Sequence, residues 1–452
     1  MDKHELKTLV CAAIDRNAQK IIETGDWIWR NAEPGFREHK TAAYITDILR
    51  SIGLDPDTGI GITGVQAVVR GRRSRPNVAV MGELDALIIP EHPEAVPGSG
   101  AVHACGHNGQ ATNVVGLALG LVESGIMKEL DGSVTLMAVP SEEPIEIEWR
   151  QKMRSEGRLF FLGGKQEFIK AGEFDDVDIA MIDHTGTEGK KIGVRGVAAE
   201  PMPGGDGFIA KMITFKGMEA HAGSAPWGGV NALNAAMLGI MGIHAQRETF
   251  KDSDAIRVHQ ILSKGGDSVN VVPSDIRMEM MVRGATIEAM KDACRKVDRA
   301  LRGGAMAVGS EVDIVNIPGY LPSGTGRSLS LGKLILENAV SLLGEEQVAT
   351  GRATGAVRVP GGGVSDVADV SAIVPTASIG VGGTAGRSHS RDFRIVDKET
   401  VYVTPAKIYA MTIVDLLCDG AAVAEQVIKE YKPVVPKKEY MDYWHRIMAD
   451  IA

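Results

Sequence analysis

Residues 133–143 have the sequence SVTLMAVPSEE, in which a mostly apolar run is followed by Pro-Ser and two adjacent glutamates. Two similar runs, NVAVM at 77–81 and DIAMI at 178–182, also lead into acidic or histidine side chains. Their lengths and branched residues predict buried strands, and helical segments such as 113–125 lie between them. Strands alternating with helices predict an α/β fold with a central mixed sheet and helices on both faces. Because ligands bind at the carboxyl ends of strands in such sheets, chemistry is expected there.

A second pattern fills residues 206–316. It consists of four strand-like and two helical segments in the order β-α-β-β-α-β: 208–215, 231–244, 256–262, 276–282, 286–302 and 311–316. That order predicts a small α+β unit of the ferredoxin-like type. We therefore predict a catalytic domain of residues 1–205 and 317–452 that is interrupted by a smaller domain at 206–316.

The flanking segments give further predictions. Residues 5–53 have the apolar spacing of two helices that are separated near Glu33-Pro34-Gly35. After the insertion, 372–381 is a strand-like run and 405–418 is helical. The segment KPVVPKK at 432–438 is predicted to be a loop before a last short helix.

Composition excludes several function classes. The 452 residues carry a net charge of −9 and contain no long Lys/Arg block, so no nucleic-acid partner is expected. No apolar stretch is long enough to cross a bilayer, and the N-terminus has no cationic, apolar leader, so no membrane association is expected either. The four cysteines are scattered and lack a CxxC pair, which favours reduced thiols in the cytoplasm.

Cys105 and His107 lie two residues apart in AVHACGHNGQAT at 101–112. On a loop, this spacing allows a thiolate and an imidazole to bind one cation. His103 is close enough to compete for that role. Taken alone, the pattern is more typical of ordinary core residues than of a metal site.

Glu142 and Glu143 follow a predicted buried strand directly. Two carboxylates there are costly unless a positive charge is close, and a metal ion supplies one. One glutamate can then bind the ion while its neighbour acts as a base toward water. The alternative is a solvated pair at a helix start, which the helix dipole favours.

His184 and His389 complete the candidate ligands. His184 follows the strand at 178–182, and His389 follows the apolar run at 373–381. Each alone is consistent with a structural histidine. Five candidate ligands near strand ends, combining a thiolate, imidazoles and a carboxylate, favour zinc, cobalt or manganese.

Two further candidates lie outside the ligand set. His221, in GMEAHAG at 217–223, follows a strand of the inserted unit and is interpreted as a donor to an oxyanion. A helix-capping or core histidine is the alternative. Arg387 and Arg391 flank His389 and could meet a small anionic substrate.

Taken together, these motifs resemble the M20 metallopeptidase family, and within it the amidohydrolase branch. The motifs occur in family order and cover most of the chain: GELDALI at 82–88, HACGHNGQAT at 103–112, PSEE at 140–143, DHTG at 183–186, AHAGSAPWGGVNALNA at 220–235, GGDSVNVVPSDIRMEMMVR at 265–283 and SHSRDF at 388–393. The stretch GGKQEFIKAGEFDDVD at 163–178 is similar to the aminobenzoyl-glutamate hydrolase group.

The resemblance implies roles for particular residues. The implied ligands of one or two manganese or zinc ions, with cobalt as an alternative, are Cys105, His107, Glu143, His184 and His389. Glu142 would be the general acid/base, and Asn270 and Arg283 would face the substrate. The inserted unit would be a lid that forms a homodimer, and His221 would serve its own or the partner's active site.

Two departures from the branch bear on the metal site. Glu83 stands where the branch usually has aspartate, which moves its carboxylate by one methylene. Asn108 stands where an aspartate commonly follows the metal-binding histidine, so a single-metal site is an alternative to a pair.

Three functions are compatible with these residues. The first is hydrolysis of the amide bond of an N-acyl or N-aroyl amino acid, such as an aminobenzoyl-glutamate or hippurate. The second is hydrolytic removal of an amino group from an aromatic ring such as a nitroanthranilate, because a fold does not fix the substrate. The third is a non-catalytic metal-binding module.

Overall fold

The computed structural model describes residues 1–186, 189–195, 206–322, 328–349 and 364–451. Its α-helices, in chain order, are α1 Lys3–Arg16, α2 Ala18–Arg30, α3 His39–Ser51, α4 His107–Ser124, α5 Ile147–Ser155, α6 Gly164–Ala171, α7 Ala232–Ala245, α8 Ile287–Val308, α9 Leu329–Leu343, α10 Val367–Ile373, α11 Lys398–Tyr402, α12 Thr404–Leu417, α13 Ala422–Glu430 and α14 Tyr440–Ala449.

The strands, in chain order, are β1 Asp57–Ile60, β2 Gly64–Arg70, β3 Asn77–Glu83, β4 Leu87–Ile88, β5 Ala101–Val102, β6 Ser133–Val139, β7 Ile179–Thr185, β8 Ile192–Arg195, β9 Gly207–Lys216, β10 Arg257–Lys264, β11 Asp275–Gly284, β12 Glu311–Tyr320, β13 Val348–Ala349, β14 Thr376–Val381, β15 Thr384–Ala385 and β16 Arg394–Ile395.

The large sheet has the order β1-β2-β6-β3-β7-β14-β8-β13. Its four central strands, β6, β3, β7 and β14, are mutually parallel, whereas β2 and β8 run antiparallel to their neighbours β6 and β14. Every residue of β3 and β6 is buried, as expected for strands covered on both faces. The predicted mixed sheet is therefore confirmed. The carboxyl ends of the four parallel strands meet at one edge, which places Glu83, Glu142 and His184 together.

A second sheet, of order β10-β11-β9-β12, forms the inserted domain with helices α7 and α8. All neighbouring strands are antiparallel, and residues along β11 alternate between buried and half-buried. The predicted β-α-β-β-α-β order is confirmed. Strand β12 continues to Tyr320, four residues beyond the predicted strand end at 316. The proposed boundary at residue 205 lies outside the described residues, so the domain limits remain predictions.

Three local predictions were wrong. The segment 5–53 forms three helices, because Asn17 leaves helical geometry (φ −95°, ψ 3°) between α1 and α2. The helix predicted from 113 begins at His107, so this residue lies on a helix rather than on a loop. Strand β14 begins at Thr376 instead of 372, because Pro375 forces Val374 into an extended conformation and ends α10.

Among the described residues, no single helix combines the length and apolar composition needed to cross a membrane. The helix pair Lys398–Leu417 and Asp419–Glu430, bent by 72°, meets those criteria only when both halves are counted together.

Candidate metal centre

His107 is the first residue of α4, and the turn before it depends on Gly106. Gly106 has a φ of +82°, and a Cβ atom on it would lie 2.5 Å from the Thr185 side chain. The His107 Nδ1 donates to Asp85, at 3.1 Å from Oδ1 and 3.0 Å from the carbonyl oxygen. Asp85 also accepts from the backbone N–H of Glu143. Because Nδ1 is held in this way, His107 presents Nε2 to the strand ends.

Cys105 and His184 meet beside His107. The Cys105 Sγ lies 3.4 Å from the His184 Nε2, while the His184 Nδ1 donates to the Thr185 carbonyl at 2.6 Å. The Thr185 hydroxyl donates to the Cys105 carbonyl at 2.8 Å. The loop before α4 and the end of β7 are therefore locked together, and the thiol and the imidazole Nε2 face each other.

Glu143 and His389 form the other side of the site. The Glu143 Oε1 lies 3.0 Å from the His389 Nε2, and Arg150 donates to the Glu143 carbonyl at 2.6 Å. The His389 N–H donates to the Ala104 carbonyl at 2.9 Å, and His389 has a positive φ of +62°. A non-glycine residue in this region is strained, and such strain is common at functional sites.

These residues form two donor sets that share Cys105. One set is Cys105, His107 and His184, the other is Cys105, Glu143 and His389, and the donor atoms of each lie within 4.8 Å of one another. We name the five residues the strand-end cluster. Within the described part of the chain, the buried His107 Nε2 makes no hydrogen bond. Buried polar atoms without partners are costly, so bound cations fit this cluster.

The charges of the cluster favour the metal-binding form of its thiol. Burial raises the pKa of Cys105, but the positive charges of His107 and His184 outweigh burial and place that pKa well below its ordinary value. Hydrogen bonds with Cys105 and Glu143 raise the pKa of His389 to about 10. The thiolate is the form that binds metals, so the surroundings of Cys105 prepare it for that role.

Glu142 lies beside the cluster without belonging to either donor set. Its carboxylate lies 4.0 Å from the His107 Nε2, and its carbonyl accepts from the Tyr320 hydroxyl at 2.5 Å. Burial raises the pKa of Glu142 well above its ordinary value, and the carboxylates of Glu83 and Glu143 raise it further. A buried carboxyl with a raised pKa is suited to acid–base chemistry.

Four of the five residues of the strand-end cluster line a cavity of about 440 Å³. The chemically active groups that line it are Glu83, Cys105, Glu142, Glu143, His184, Arg283 and His389. Arg283 comes from β11 of the inserted domain, is half-buried, and lies with its guanidinium carbon 5.5 Å from the centre of the Phe208 ring. The inserted domain therefore brings a cation to the cavity.

Three predicted residues lie elsewhere. His221 and Asn270 are exposed and lie outside the cavity lining that the described residues define. The His221 Nδ1 accepts from the backbone N–H groups of Gly223 and Ser224 at 3.1 and 3.0 Å, and the Asn270 carbonyl accepts from Ala222. Arg387 is also exposed and lies outside that lining, although the next two residues of the chain contribute to it.

Sequence reasoning missed several residues that support the site. Asp85 orients His107, Arg150 and Tyr320 hold the carbonyls of Glu143 and Glu142, and Lys165 contacts Glu83. Only Asp85 carried a usable signal, because it follows a predicted strand.

Comparison with known proteins agrees with this architecture. Residues 206–306 match the M20 peptidase dimerisation domain family. The chain is 27% identical over 317 residues to the Xaa-Arg dipeptidase of Mus musculus (68% of this chain, 65% of the relative). It is 30% identical over 269 residues to one of the subunits of the p-aminobenzoyl-glutamate hydrolase of Escherichia coli (56% and 55%). The chain thus spans somewhat more than half of the length of these relatives.

A solved structure has the same fold. It is a Bacillus subtilis protein described as a dinuclear metal binding peptidase from the M20 family, with a TM-score of 0.60 and 22% identity over 88% of this chain and 98% of that chain. The inserted domain therefore belongs to the M20 peptidase dimerisation domain family, and the whole chain has the fold of an M20-family peptidase.

Proposed function

We propose that this protein is a metal-dependent hydrolase that cleaves the amide C–N bond of an N-acyl or N-aroyl amino acid. One observation carries the proposal: members of both donor sets (Cys105, Glu143, His184 and His389), Glu142 and the cationic Arg283 line a single cavity of about 440 Å³. That combination provides cation binding, proton transfer and anion recognition at one place.

The strand-end cluster would hold the metal. One ion would be bound by Cys105, His107 and His184, and a second by Cys105, Glu143 and His389. Manganese and zinc suit this mixture of sulfur, nitrogen and oxygen ligands, and cobalt is a substitute of similar chemistry. A divalent ion at such a site polarises a carbonyl group and acidifies water.

Glu142 would move the proton. Its carboxylate borders the cavity and lies next to the cluster, where burial raises its pKa. It can take a proton from water on one of its oxygens and deliver that proton to the departing amide nitrogen. The Tyr320 hydroxyl, bonded to the Glu142 carbonyl, fixes the backbone from which this side chain extends.

Arg283 would select an anionic substrate. A guanidinium binds a carboxylate through two parallel hydrogen bonds, and its half-buried position strengthens the attraction. The cavity wall at Val367, Ala368 and Ala377 is apolar and suits an acyl or aroyl group. An amino acid carboxylate at Arg283 would then place the amide between the cluster and Glu142.

The inserted domain would form a homodimer. Apolar side chains are exposed on α7 and on the edge strand β10, including Met237, Met241, Ile261 and Leu262. This region lies within the match to the dimerisation domain. We also propose a cytoplasmic location, since the four cysteines are free thiols and Cys105 must be reduced to bind metal.

A substrate screen on metal-reconstituted protein tests the function. Protein stripped with a chelator is reloaded with Mn²⁺, Zn²⁺ or Co²⁺ and given p-aminobenzoyl-glutamate, hippurate or a nitroanthranilate. We expect metal-dependent release of the amino acid from the first two compounds. Ammonia released from the nitroanthranilate alone would instead indicate a ring deaminase. Stable metal binding without turnover of any compound would favour a non-catalytic module.

A further inference from the structure

Glu83 is a donor that neither proposed metal position uses. It is the last residue of β3, it is buried, and its Oε2 lies 3.1 Å from the His107 Nε2. Glu83, His107 and Glu142 form a third group of donor atoms within 4.8 Å of one another. Two donor atoms that each lie about 2.0–2.2 Å from one ion are separated by about 3.0–3.5 Å. The spacing between Glu83 and His107 therefore fits two ligands of one ion.

The His107 ring supports the same conclusion. Its Nδ1 is held by Asp85, and in the described part of the chain its buried Nε2 makes no hydrogen bond despite the nearby Glu83 carboxylate. In metal sites, a histidine ligand commonly has one ring nitrogen fixed by a hydrogen bond, while its other nitrogen faces the ion. His107 has this arrangement, and the Glu83 carboxylate lies where a second ligand of the same ion would lie. Glu142 is farther from Nε2, at 4.0 Å, which leaves it available for proton transfer.

Hydrogen bonds fix both oxygens of Glu83. The Oε1 accepts from the Lys165 Nζ at 2.5 Å, and the Oε2 accepts from the Gln110 side chain at 2.7 Å. A carboxylate oxygen can accept more than one such contact, so Oε2 retains the capacity to bind an ion. The carboxylate is thus oriented in the way that outer partners orient metal ligands.

Lys165 is the cation that holds Glu83. Its Nζ is fully buried and also lies 2.5 Å from the Asp366 Oδ1, while its backbone N–H donates to the Asp366 Oδ2. A Cβ on Gly164 would lie 1.8 Å from the Pro140 carbonyl, so α6 packs against the end of β6 as closely as the backbone allows. A buried ammonium is costly unless it is paired, and two carboxylates offset that cost here.

We propose that Glu83 is an additional ligand of the ion bound by His107, and that Lys165, braced by Asp366, is the residue that positions its carboxylate. The inference rests on the proposed metal centre, but it does not depend on which substrate is hydrolysed.

Two substitutions of Glu83 test the ligand assignment. Glu83→Gln removes the charge at constant size, and Glu83→Asp keeps the charge opposite Lys165 but withdraws the carboxylate by one methylene. Metal content after chelation and reloading, and affinity by competition with a chromophoric chelator, are measured with Co²⁺ and Mn²⁺. We expect one of two ions to bind about 10–100-fold more weakly in both variants, with a changed Co²⁺ absorption spectrum.

Lys165 requires a charge-balanced variant, because Lys165→Met alone leaves two buried carboxylates without a cation and can prevent folding. The double variant Lys165→Met/Asp366→Asn removes the pair together. A purely structural role would lower the melting temperatures of metal-free and metal-loaded protein equally. A positioning role also reduces the rise in melting temperature on adding Co²⁺, and this is the result we expect.

Glu167→Gln is the matched control. Like Glu83, Glu167 is a buried glutamate, but it lies on α6. Its carboxylate accepts from the backbone N–H groups of Phe160 and Phe161 and belongs to none of the donor groups. The Glu167→Gln variant should lose stability without losing metal affinity.

The ligand assignment is overturned if Glu83→Gln and Glu83→Asp bind two ions with the affinity and Co²⁺ spectrum of the unmodified protein. Loss of both ions in Glu83→Asp would overturn it as well, since Glu83 would then be a general support of the pocket. Because the readout is metal binding, failure of the hydrolase proposal leaves the test intact.

Discussion

At the strand ends, Cys105, His107 and Glu143 are buried, and the side chains of Asp85, Thr185 and Arg150, from three different segments, hold them in place. In the inserted domain, His221 and Asn270 are exposed, and the hydrogen bonds found for them among the described residues stay within two adjacent surface loops of that domain. One chain would therefore complete the proposed metal-binding part of the site by itself. The proposed oxyanion-binding role of His221 would require either movement of the inserted domain or a second subunit.

Glu142→Gln tests the strand-end half of this comparison and should have the largest effect. Replacing the carboxylate by an amide removes the proton acceptor, so kcat should fall by about 10²–10⁴-fold. Metal content should not change, because Glu142 lies outside both donor sets. Steady-state kinetics and metal analysis of the same preparation check the two parts. Substantial remaining turnover would remove Glu142 from its proposed role.

His221→Ala tests the other half. Loss of an oxyanion donor should lower kcat by about 10²–10³-fold without loss of metal. Mixing inactive His221→Ala with inactive Glu142→Gln then decides which subunit the histidine serves. If His221 reaches the partner's site, half of the dimers are mixed and one of their two sites is intact, so roughly a quarter of the activity returns.

The opposite outcomes of that mixing experiment are equally informative. No recovery, with exchange of subunits demonstrated by native mass spectrometry, would mean that His221 serves its own cavity after domain movement. An unchanged rate in His221→Ala itself would show that the histidine plays no part in the reaction.

The sequence pointed to the proposed ligands because each lies close to the end of a strand. Parallel strands bring their carboxyl ends to one edge, so Glu143 and His184 could be placed together without knowledge of side-chain packing. The strand order was not needed for this inference. The same argument could not separate Arg283, which lines the cavity, from Asn270, which does not, because both belong to the inserted domain. That difference depends on the register that sets Arg283 beside Phe208.

Contacts between distant segments could not be predicted. Lys165 and Asp366 are 201 positions apart, and Tyr320 and Glu142 are 178 positions apart. No periodicity links such pairs, because their proximity depends on how α6, α10 and β12 pack. The helix break at Asn17 could not be predicted for a different reason. The apolar spacing continues on both sides of this residue, and no proline or glycine marks the break.

Arg283→Met should have an intermediate effect that is confined to substrate binding. Charged hydrogen bonds contribute about 1.5–3 kcal/mol, so KM for a substrate with a free carboxylate should rise by about 10–100-fold, with a smaller change in kcat. Arg387→Ala is the control, since Arg387 is exposed and lies outside the cavity lining of the described residues. If Arg387→Ala has the larger effect on KM, the substrate carboxylate lies at the rim instead of in the cavity.

The smallest expected effect tests whether the inserted domain can lose stability without weakening metal binding at the strand-end cluster. The Asn231 side chain accepts from the Asn234 N–H at 3.0 Å and caps α7 in the inserted domain. Asn231→Ala should destabilise that helix by about 1 kcal/mol, whereas Asn231→Ser keeps a capping oxygen and should change little. Hydrogen exchange should therefore accelerate in α7 and not in α4, and Co²⁺ affinity should remain that of the unmodified protein. Weaker metal binding in Asn231→Ala would mean that the inserted domain and the strand-end cluster are coupled even without substrate.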